Sequence, residues 1–368
     1  MDDERFEWAT RGRVPSLDGL RATSIGLVLS AHILFADMPP ALADWRPVFS
    51  RLSVVGVDVF FVISGMLITL LLLREHDRAG RISLAGFYRR RVLRIVPAYA
   101  AYLAFVFVLA RIGLCQTRAI DWAAACTYTI NLMPRIDATW EFAHIWSLSV
   151  EEHFYLIWPV TVLVLGPRRA AAVLVAVVVG TPLLRFLLLG RWLFGSGYIR
   201  FATPFRMDTI AIGCLLAFLA RHPIRARTCR GWRAAAVGAV GLAGLAACVL
   251  YGSAVRAFYD YFYFTVTGGC IAILVWVLVV NASSTVGRLL NWGPVVFVGI
   301  LSYSLYLWQQ PFTKERGVSN LPGWPLNVAA IVTCAVASHY LVERPFLRLR
   351  DRTSATAGDA LRPDDRPA

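Results

Sequence analysis

Two ionisable residues, Arg21 and His32, lie in one apolar stretch near the start of the chain. They are eleven residues apart, close to three helical turns, so a helix places both on one face about 16 Å apart along its axis. Ionisable side chains inside a membrane span are costly and by default indicate a functional site. We therefore expect Asp18 to pair with Arg21, and His32 to be a neutral acid–base group. The alternative is that His32 only hydrogen-bonds a neighbouring helix.

A cluster of arginines precedes a later apolar run, in the segment FYRRRVLRIVPAY. Arg91 and Arg94 are three residues apart and should share a helix face. Guanidinium groups bind phosphate oxygens in a bidentate manner, which predicts a clamp for a polyanion such as a nucleotide diphosphate. The alternative is a topological role, since arginines concentrate on the cytoplasmic side of membrane spans.

Two adjacent carboxylates occur in the apolar and aromatic segment HIWSLSVEEHFYLIWP. Glu151 and Glu152 lie about 100° apart on a helix and cannot point the same way. Glu151, with Tyr155 four residues on, is the one expected to face the interior, where it could orient a catalytic histidine or bind a sugar hydroxyl. A structural ion pair with Arg200 or Arg206 is the alternative.

Other polar residues also interrupt apolar runs, and each costs free energy unless it is paired. Three of them join Tyr155 as predicted substrate-binding residues: Asp58, Asp208 and Gln310. Ser64 and Gly65 are interpreted as a packing contact between helices. The seven cysteines form no CxxC pair, so no metal site is predicted.

The composition is that of a polytopic membrane protein. The 368 residues are 58% hydrophobic and 16% charged, with a mean hydropathy of +0.59. The net charge of +14 comes from short clusters between apolar runs, which argues against nucleic-acid binding. Runs near the 20 residues that a span needs predict an all-α fold of about ten transmembrane helices: 17–37, 54–73, 92–112, 142–165, 170–189, 203–220, 234–251, 262–281, 295–312 and 325–343.

The arginine clusters predict the orientation of these spans. They occur at residues 74–94, 166–169, 221–233 and 344–352, which all fall on one side of a ten-span protein. That side should be cytoplasmic, with both termini inside. We expect a cytoplasmic tail over residues 1–14, a membrane domain over 15–346, a disordered tail over 347–368 and no fused soluble domain.

Several segments, taken in order, resemble the membrane-bound acyltransferase family 3, whose O-acyltransferases modify surface polysaccharides, lipid-linked sugars and some antibiotics. The resemblance covers nearly all of residues 15–346. It rests on SLDGLRATSIGLVLSAH, VGVDVFFVISGMLIT, FYRRRVLRIVPAY, IWSLSVEEHFYLIWP, RMDTIAIGCLLA, SYSLYLWQQPF and VERPF.

The resemblance implies a ten-helix fold in a bacterial inner membrane, without a bound cofactor. The donor would be cytoplasmic acyl-CoA, most commonly acetyl-CoA, and the acceptor a carbohydrate hydroxyl. His32 matches the family's essential histidine and Arg21 its partner, while Arg91 and Arg94 match its RxxR pair. Glu151 and Glu152 match its paired glutamates. Apart from membrane lipid, the implied partners are these two substrates, and the oligomeric state stays open.

A transporter or flippase of a glycolipid or polysaccharide precursor is the alternative function, because charged intramembrane residues also line transport paths. The arginine-rich cytoplasmic mouth favours a nucleotide-bearing donor. For acyl transfer, His32 is expected to act either as a general base toward the acceptor hydroxyl or as a nucleophile that carries the acyl group.

Overall fold

A computed structural model of the chain is all-α over the part that can be described. The described residues are 14–36, 39–133, 138–189, 201–221, 229, 231–314 and 323–359. Their α-helices, labelled α1 to α14 in chain order, are Leu17–Ala36, Arg46–Ala79, Leu84–Arg111, Ala119–Cys126, Trp140–Ala143, Ile145–Leu189, Met207–Ala220, Gly231–Tyr251, Arg256–Tyr261, Tyr263–Val280, Thr285–Leu290, Gly293–Trp308, Leu326–Ala337 and Arg344–Asp359. Short 3₁₀ turns cover Pro40–Trp45, Ile130–Leu132, Thr203–Phe205 and Gln310–Thr313, and a π-helix covers Ser338–Glu343.

The helices fit a multi-pass membrane protein. Within the described ranges, seven of them are long and apolar enough to cross a bilayer, and α7 and α12 are apolar but shorter. The long helix α6 contains a non-helical residue, Gly166 with φ 74° and ψ 163°, at the place where the sequence predicts a break between two spans. Each of the ten predicted segments therefore falls on a helix, while the count of ten spans stays a prediction.

Helix α1 is held between α2 and α12, and this packing places Arg21 and His32. The Ser24 hydroxyl donates to the Gly56 carbonyl of α2 at 2.5 Å. On the other side, a Cβ added to Gly299 of α12 would lie 1.9 Å from the Asp18 carbonyl oxygen. Only glycine permits such an approach of two backbones.

Helices α2 and α7 cross at similarly close range. A Cβ on Gly65 would lie 2.1 Å from the Ile210 carbonyl oxygen, and one on Gly213 would lie 2.1 Å from the Val62 carbonyl oxygen. The prediction of a small-residue helix contact is therefore confirmed for Gly65.

The C-terminal region differs from the prediction of a disordered tail over 347–368. Helix α14 continues through residues 347–359, and its first turns pack against α3. Leu347 and Arg350, three residues apart, are the partly buried residues of this segment, whereas Phe346 and Leu349 are exposed. Residues 360–368 and the tail over 1–13 lie outside the described residues.

Candidate active site

The predicted donor-binding arginines line one cavity of about 100 Å³. Arg21 comes from α1, and Arg91 and Arg94 come from α3. The cavity is lined by Arg21, Val57, Phe60, Phe61, Ser64, Arg91, Arg94, Ile95, Ser147, Leu148, Glu151, Tyr155, Ser302, Tyr303 and Tyr306. We call it the arginine cavity. It confirms that Arg91 and Arg94 share a helix face.

Positive charge dominates this lining, which has three arginines and one carboxylate. Arg21 donates to Asp18 at 3.1 Å, as the sequence predicts. The Arg91 guanidinium lies over the Tyr155 ring, 4.4 Å from its centroid. Arg94 is exposed. The cavity therefore attracts anions, and planar guanidinium groups suit phosphate.

Glu151 faces the arginine cavity beside Tyr155, as predicted. The Ser64 hydroxyl lies within hydrogen-bonding reach of both the Glu151 carboxylate and the Tyr155 phenol. Glu152 is not among the lining residues, and the next residue, His153, makes a 2.7 Å hydrogen bond with the Thr203 hydroxyl. The two glutamates thus point in different directions, as their 100° separation requires.

Ser64 is a site residue that the sequence interpretation missed. It was grouped with Gly65 as a packing contact, but only Gly65 lies at the helix crossing, while Ser64 points into the arginine cavity. Adjacent residues on a helix are about 100° apart, so a serine next to a packing glycine can face another environment. The only feature of the sequence that could have identified Ser64 as a site residue is its hydroxyl group, a polar group within an apolar run.

His32 is partnered by a glutamine rather than by a carboxylate. Its Nδ1 lies 2.8 Å from Oε1 of Gln309, and its ring stands edge-on to Trp140 at 6.2 Å between centroids. His32 is partly exposed and is not among the residues that line the arginine cavity. In the described contacts neither Glu151 nor Glu152 orients it, which corrects that expectation.

Gln310, the glutamine chosen from the sequence, is engaged elsewhere. Its Nε2 donates to the Trp140 carbonyl at 2.9 Å, and Trp140 Nε1 donates to the Gln310 carbonyl at 2.7 Å. This reciprocal pair joins the C-terminal end of α12 to α5. Gln310 therefore positions Trp140, whose ring contacts His32.

Asp58 and Asp208 form buried ion pairs outside the arginine cavity. Asp58 pairs with Arg206, and Asp208 accepts two hydrogen bonds from Arg185 at 2.8 and 2.9 Å. All four side chains are fully buried. The Thr265 hydroxyl adds a third hydrogen bond to Asp208, at 2.5 Å. Neither aspartate lines the arginine cavity. Arg206 therefore pairs with Asp58 rather than with a glutamate, and Arg200 lies outside the described residues.

Polar groups connect the arginine cavity to the neighbourhood of His32. Ser147 and Tyr306, which line the cavity, are joined by a 2.6 Å hydrogen bond between their hydroxyls. One of the two hydroxyls donates in that bond, and the other is free to donate to the His144 carbonyl oxygen, which lies 3.3 Å from the Ser147 hydroxyl and 2.9 Å from the Tyr306 hydroxyl. His144 lies four residues after Trp140, whose ring stands edge-on to His32. An anionic ligand in the cavity would therefore have one end close to this row of polar side chains.

Comparison with known proteins gives a family match over most of the chain. The family model of an acyltransferase domain matches residues 14–341. The chain is 28% identical over 359 residues to the O-acetyltransferase OatA of Staphylococcus aureus, covering 90% of this chain and 57% of that protein. It is 27% identical over 371 residues to the peptidoglycan O-acetyltransferase OatA of Listeria monocytogenes, covering 91% and 56%. The chain thus spans just over half the length of these relatives. No solved structure matches it.

Proposed function

This chain belongs to the membrane-bound acyltransferase family 3, and on that premise we propose that it is an integral membrane O-acyltransferase. The proposed reaction moves an acyl group, acetyl in the simplest case, from acyl-CoA to a hydroxyl of a carbohydrate acceptor. The observation that carries this proposal is the arginine cavity, whose residues Ser147 and Tyr306 contact the segment that holds Trp140 against His32.

The arginine cavity is the proposed donor site. Coenzyme A carries a diphosphate and a ribose phosphate, which match guanidinium forks. Arg91 and Arg94, one helical turn apart, would bind phosphate oxygens, and Arg21 would add charge from α1. Glu151 limits the net positive charge at the inner wall and, with Ser64, offers hydrogen bonds to the amide groups of the pantetheine arm. The thioester would then point toward Ser147 and Tyr306.

His32 is the proposed base, and Gln309 sets its tautomer. Because an amide oxygen only accepts hydrogen bonds, the contact with Gln309 Oε1 places the proton on Nδ1 and leaves the Nε2 lone pair available. Nε2 takes the proton of the acceptor hydroxyl, whose oxygen attacks the thioester carbonyl. A carbon–oxygen bond forms, the carbon–sulfur bond breaks, and the thiolate of coenzyme A leaves and is protonated. Attack by Nε2 itself, giving a transient acyl-histidine, is the second route.

The names of the relatives guide the choice of acceptor. The Listeria monocytogenes protein is called a peptidoglycan O-acetyltransferase, so a glycan of the cell envelope is the first acceptor to test. We place the arginine cavity on the cytoplasmic side of a bacterial inner membrane, where acyl-CoA is available and where the arginine-rich loops belong.

The test uses the full chain, purified in detergent and reconstituted, with radiolabelled acetyl-CoA and a soluble N-acetylglucosamine oligosaccharide. His32→Ala should lower acetyl transfer by about 10²- to 10⁴-fold, the usual range for a general base. His76→Ala, at the C-terminal end of α2, is the matched control and should retain transfer. Label that stays on the wild-type protein without acceptor would favour the acyl-histidine route.

The opposite result would support the alternative function. If His32→Ala transfers acetyl groups as fast as the wild type, His32 is not the base. If wild-type vesicles move a lipid-linked sugar across the membrane without turning over acetyl-CoA, the protein is a transporter.

A further inference from the structure

His144 is a buried histidine for which the described contacts provide no adequate partner. It is 3% exposed, and neither ring nitrogen makes a full hydrogen bond with any described residue. The ring is enclosed by Tyr102 and Tyr306, whose centroids lie 5.3 and 5.5 Å away. A buried polar group without a partner is rare in native proteins and requires a reason.

Two more unpartnered donors lie around the same rings. Gln309 uses its Oε1 to hold His32, but its Nε2 has no partner among the described residues. The indole Nε1 of Trp308 is also unpartnered there, and that ring stands edge-on to Tyr102 at 5.8 Å, as the His144 ring does. Three polar side chains with unused hydrogen-bonding capacity thus lie in this region: the His144 and Trp308 rings stand against Tyr102, and Gln309, next to Trp308, holds His32.

Their chemistry indicates the class of ligand. The free groups are an imidazole, a primary amide and an indole N–H. The amide and the indole are neutral, the imidazole is neutral when it carries one proton, and aromatic rings pack between them. Such groups suit a neutral ligand that both donates and accepts hydrogen bonds. An alcohol hydroxyl meets this requirement, whereas a phosphate is better served by the arginine cavity.

We propose that His144 and the Nε2 of Gln309 bind the acceptor hydroxyl that His32 deprotonates. This inference rests on the proposed function and adds the acceptor end of the site to it. The hydroxyl donates its hydrogen to Nε2 of His32, while its oxygen accepts from His144 or Gln309. As the proton passes to His32, negative charge grows on that oxygen, and the hydrogen bonds that it accepts become stronger.

The experiment separates acceptor binding from donor binding. His144→Phe and His144→Gln are assayed with acetyl-CoA and the N-acetylglucosamine oligosaccharide, and the KM of each substrate, kcat and the thermal midpoint are measured. We expect His144→Phe to raise the acceptor KM or lower kcat by at least tenfold, with acetyl-CoA binding within twofold of the wild type. His144→Gln, which keeps a donor and an acceptor, should recover part of the loss.

A matched control and three outcomes complete the test. His153→Gln, nine residues further along the chain on α6 and bonded to Thr203, should change neither KM. Unchanged acceptor kinetics in both His144 variants would overturn the inference and leave an ordered water as the partner of His144. Equal losses of donor and acceptor binding with a lower thermal midpoint in both variants would assign His144 a structural role only. A wild-type protein that binds acetyl-CoA but never transfers the acetyl group would overturn the proposed function, and the inference with it.

Discussion

Two groups of intramembrane charges in this protein are arranged in opposite ways. The arginine cavity is lined by three arginines and one carboxylate, and these charged side chains face the open volume of the cavity. The second group, which we call the closed pairs, consists of Asp58 with Arg206 and Arg185 with Asp208. All four of these side chains are fully buried and contact one another, threonine hydroxyls, backbone carbonyls or aromatic rings.

The difference shows that a charge inside a membrane does not by itself identify a functional site. Asp58 and Asp208 interrupt apolar runs just as Arg21 does, and the sequence therefore predicts a ligand-binding role for all three. The two groups differ in net charge. Each closed pair contains one positive and one negative side chain, whereas the cavity has an excess of positive charge that faces a space a ligand can enter. The closed pairs join α2, α6, α10 and the start of α7, and the cavity keeps the charge that can bind an anion.

The largest effect is expected from breaking a closed pair on one side. Arg206→Met leaves the Asp58 carboxylate buried without its partner. It also removes the cation–π contact between the guanidinium and the Phe264 ring, whose centroid lies 3.9 Å away. We expect a loss of about 3–5 kcal/mol in the free energy of unfolding. Thermal unfolding in detergent, followed by size-exclusion chromatography, measures it.

The double variant Asp58→Leu/Arg206→Met tests the interpretation. Replacing both members removes the isolated charge, so most of the lost stability should return, and acetyl transfer should return with it. If the double variant is stable but transfers no acetyl group, Asp58 has a role in substrate binding, and the contrast between the closed pairs and the cavity fails.

An intermediate effect of a different kind is expected in the arginine cavity. Arg94→Gln removes an exposed guanidinium that makes no ion pair with any described residue, so the free energy of unfolding should change by less than about 0.5 kcal/mol. The KM for acetyl-CoA should rise about 10- to 100-fold, which corresponds to the loss of one charged hydrogen bond of about 1.5–3 kcal/mol. Arg89→Gln, also exposed on α3 but absent from the cavity lining, is the matched control. If Arg89→Gln raises the KM for acetyl-CoA as much as Arg94→Gln does, donor binding depends on the overall surface charge and not on the arginine cavity.

Local periodicity explains how much of the fold and site the sequence could predict. The ten apolar segments follow from the lengths of the apolar runs. The shared face of Arg91 and Arg94, the Asp18–Arg21 pair and the inward direction of Glu151 follow from 3.6-residue spacing within one helix. The partners on other helices do not. Gln309 is 277 residues from His32, and its neighbour Gln310 has the same chemistry, so only the rotation of α12 decides which amide meets the histidine.

The same limit applies to the closed pairs. Asp58 and Arg206 are 148 residues apart, and from the sequence Arg206 is considered only as a partner of a glutamate. Their pairing depends on the close crossing of α2 and α7, which brings Gly65 and Gly213 against the opposite backbones. Spacing within a segment predicts which residues share a face, and packing between segments decides what that face meets.

The smallest effect is expected for an ion pair at the surface. Asp121 accepts hydrogen bonds from Arg118 at 2.8 and 2.9 Å; its side chain is buried, but Arg118 is 47% exposed, so water solvates the guanidinium and weakens the pair. Asp121 also accepts from the Arg118 backbone N–H at the start of α4, and Asp121→Asn should cost about 1 kcal/mol at pH 7.

The pH dependence of this surface pair has a defined sign and completes the comparison with the closed pairs. Burial alone would raise the pKa of Asp121, but the hydrogen bonds and charge of Arg118 outweigh it and hold that pKa below its ordinary value of 3.8. The stabilisation is therefore present above pH 3.8 and is lost as the pH falls toward the lower, folded-state pKa. Thermal unfolding of wild type and Asp121→Asn should differ at pH 7 and converge below pH 3.8. If Asp121→Asn lowers the free energy of unfolding as much as Arg206→Met does, the position of a pair in the membrane or at the surface does not set its strength.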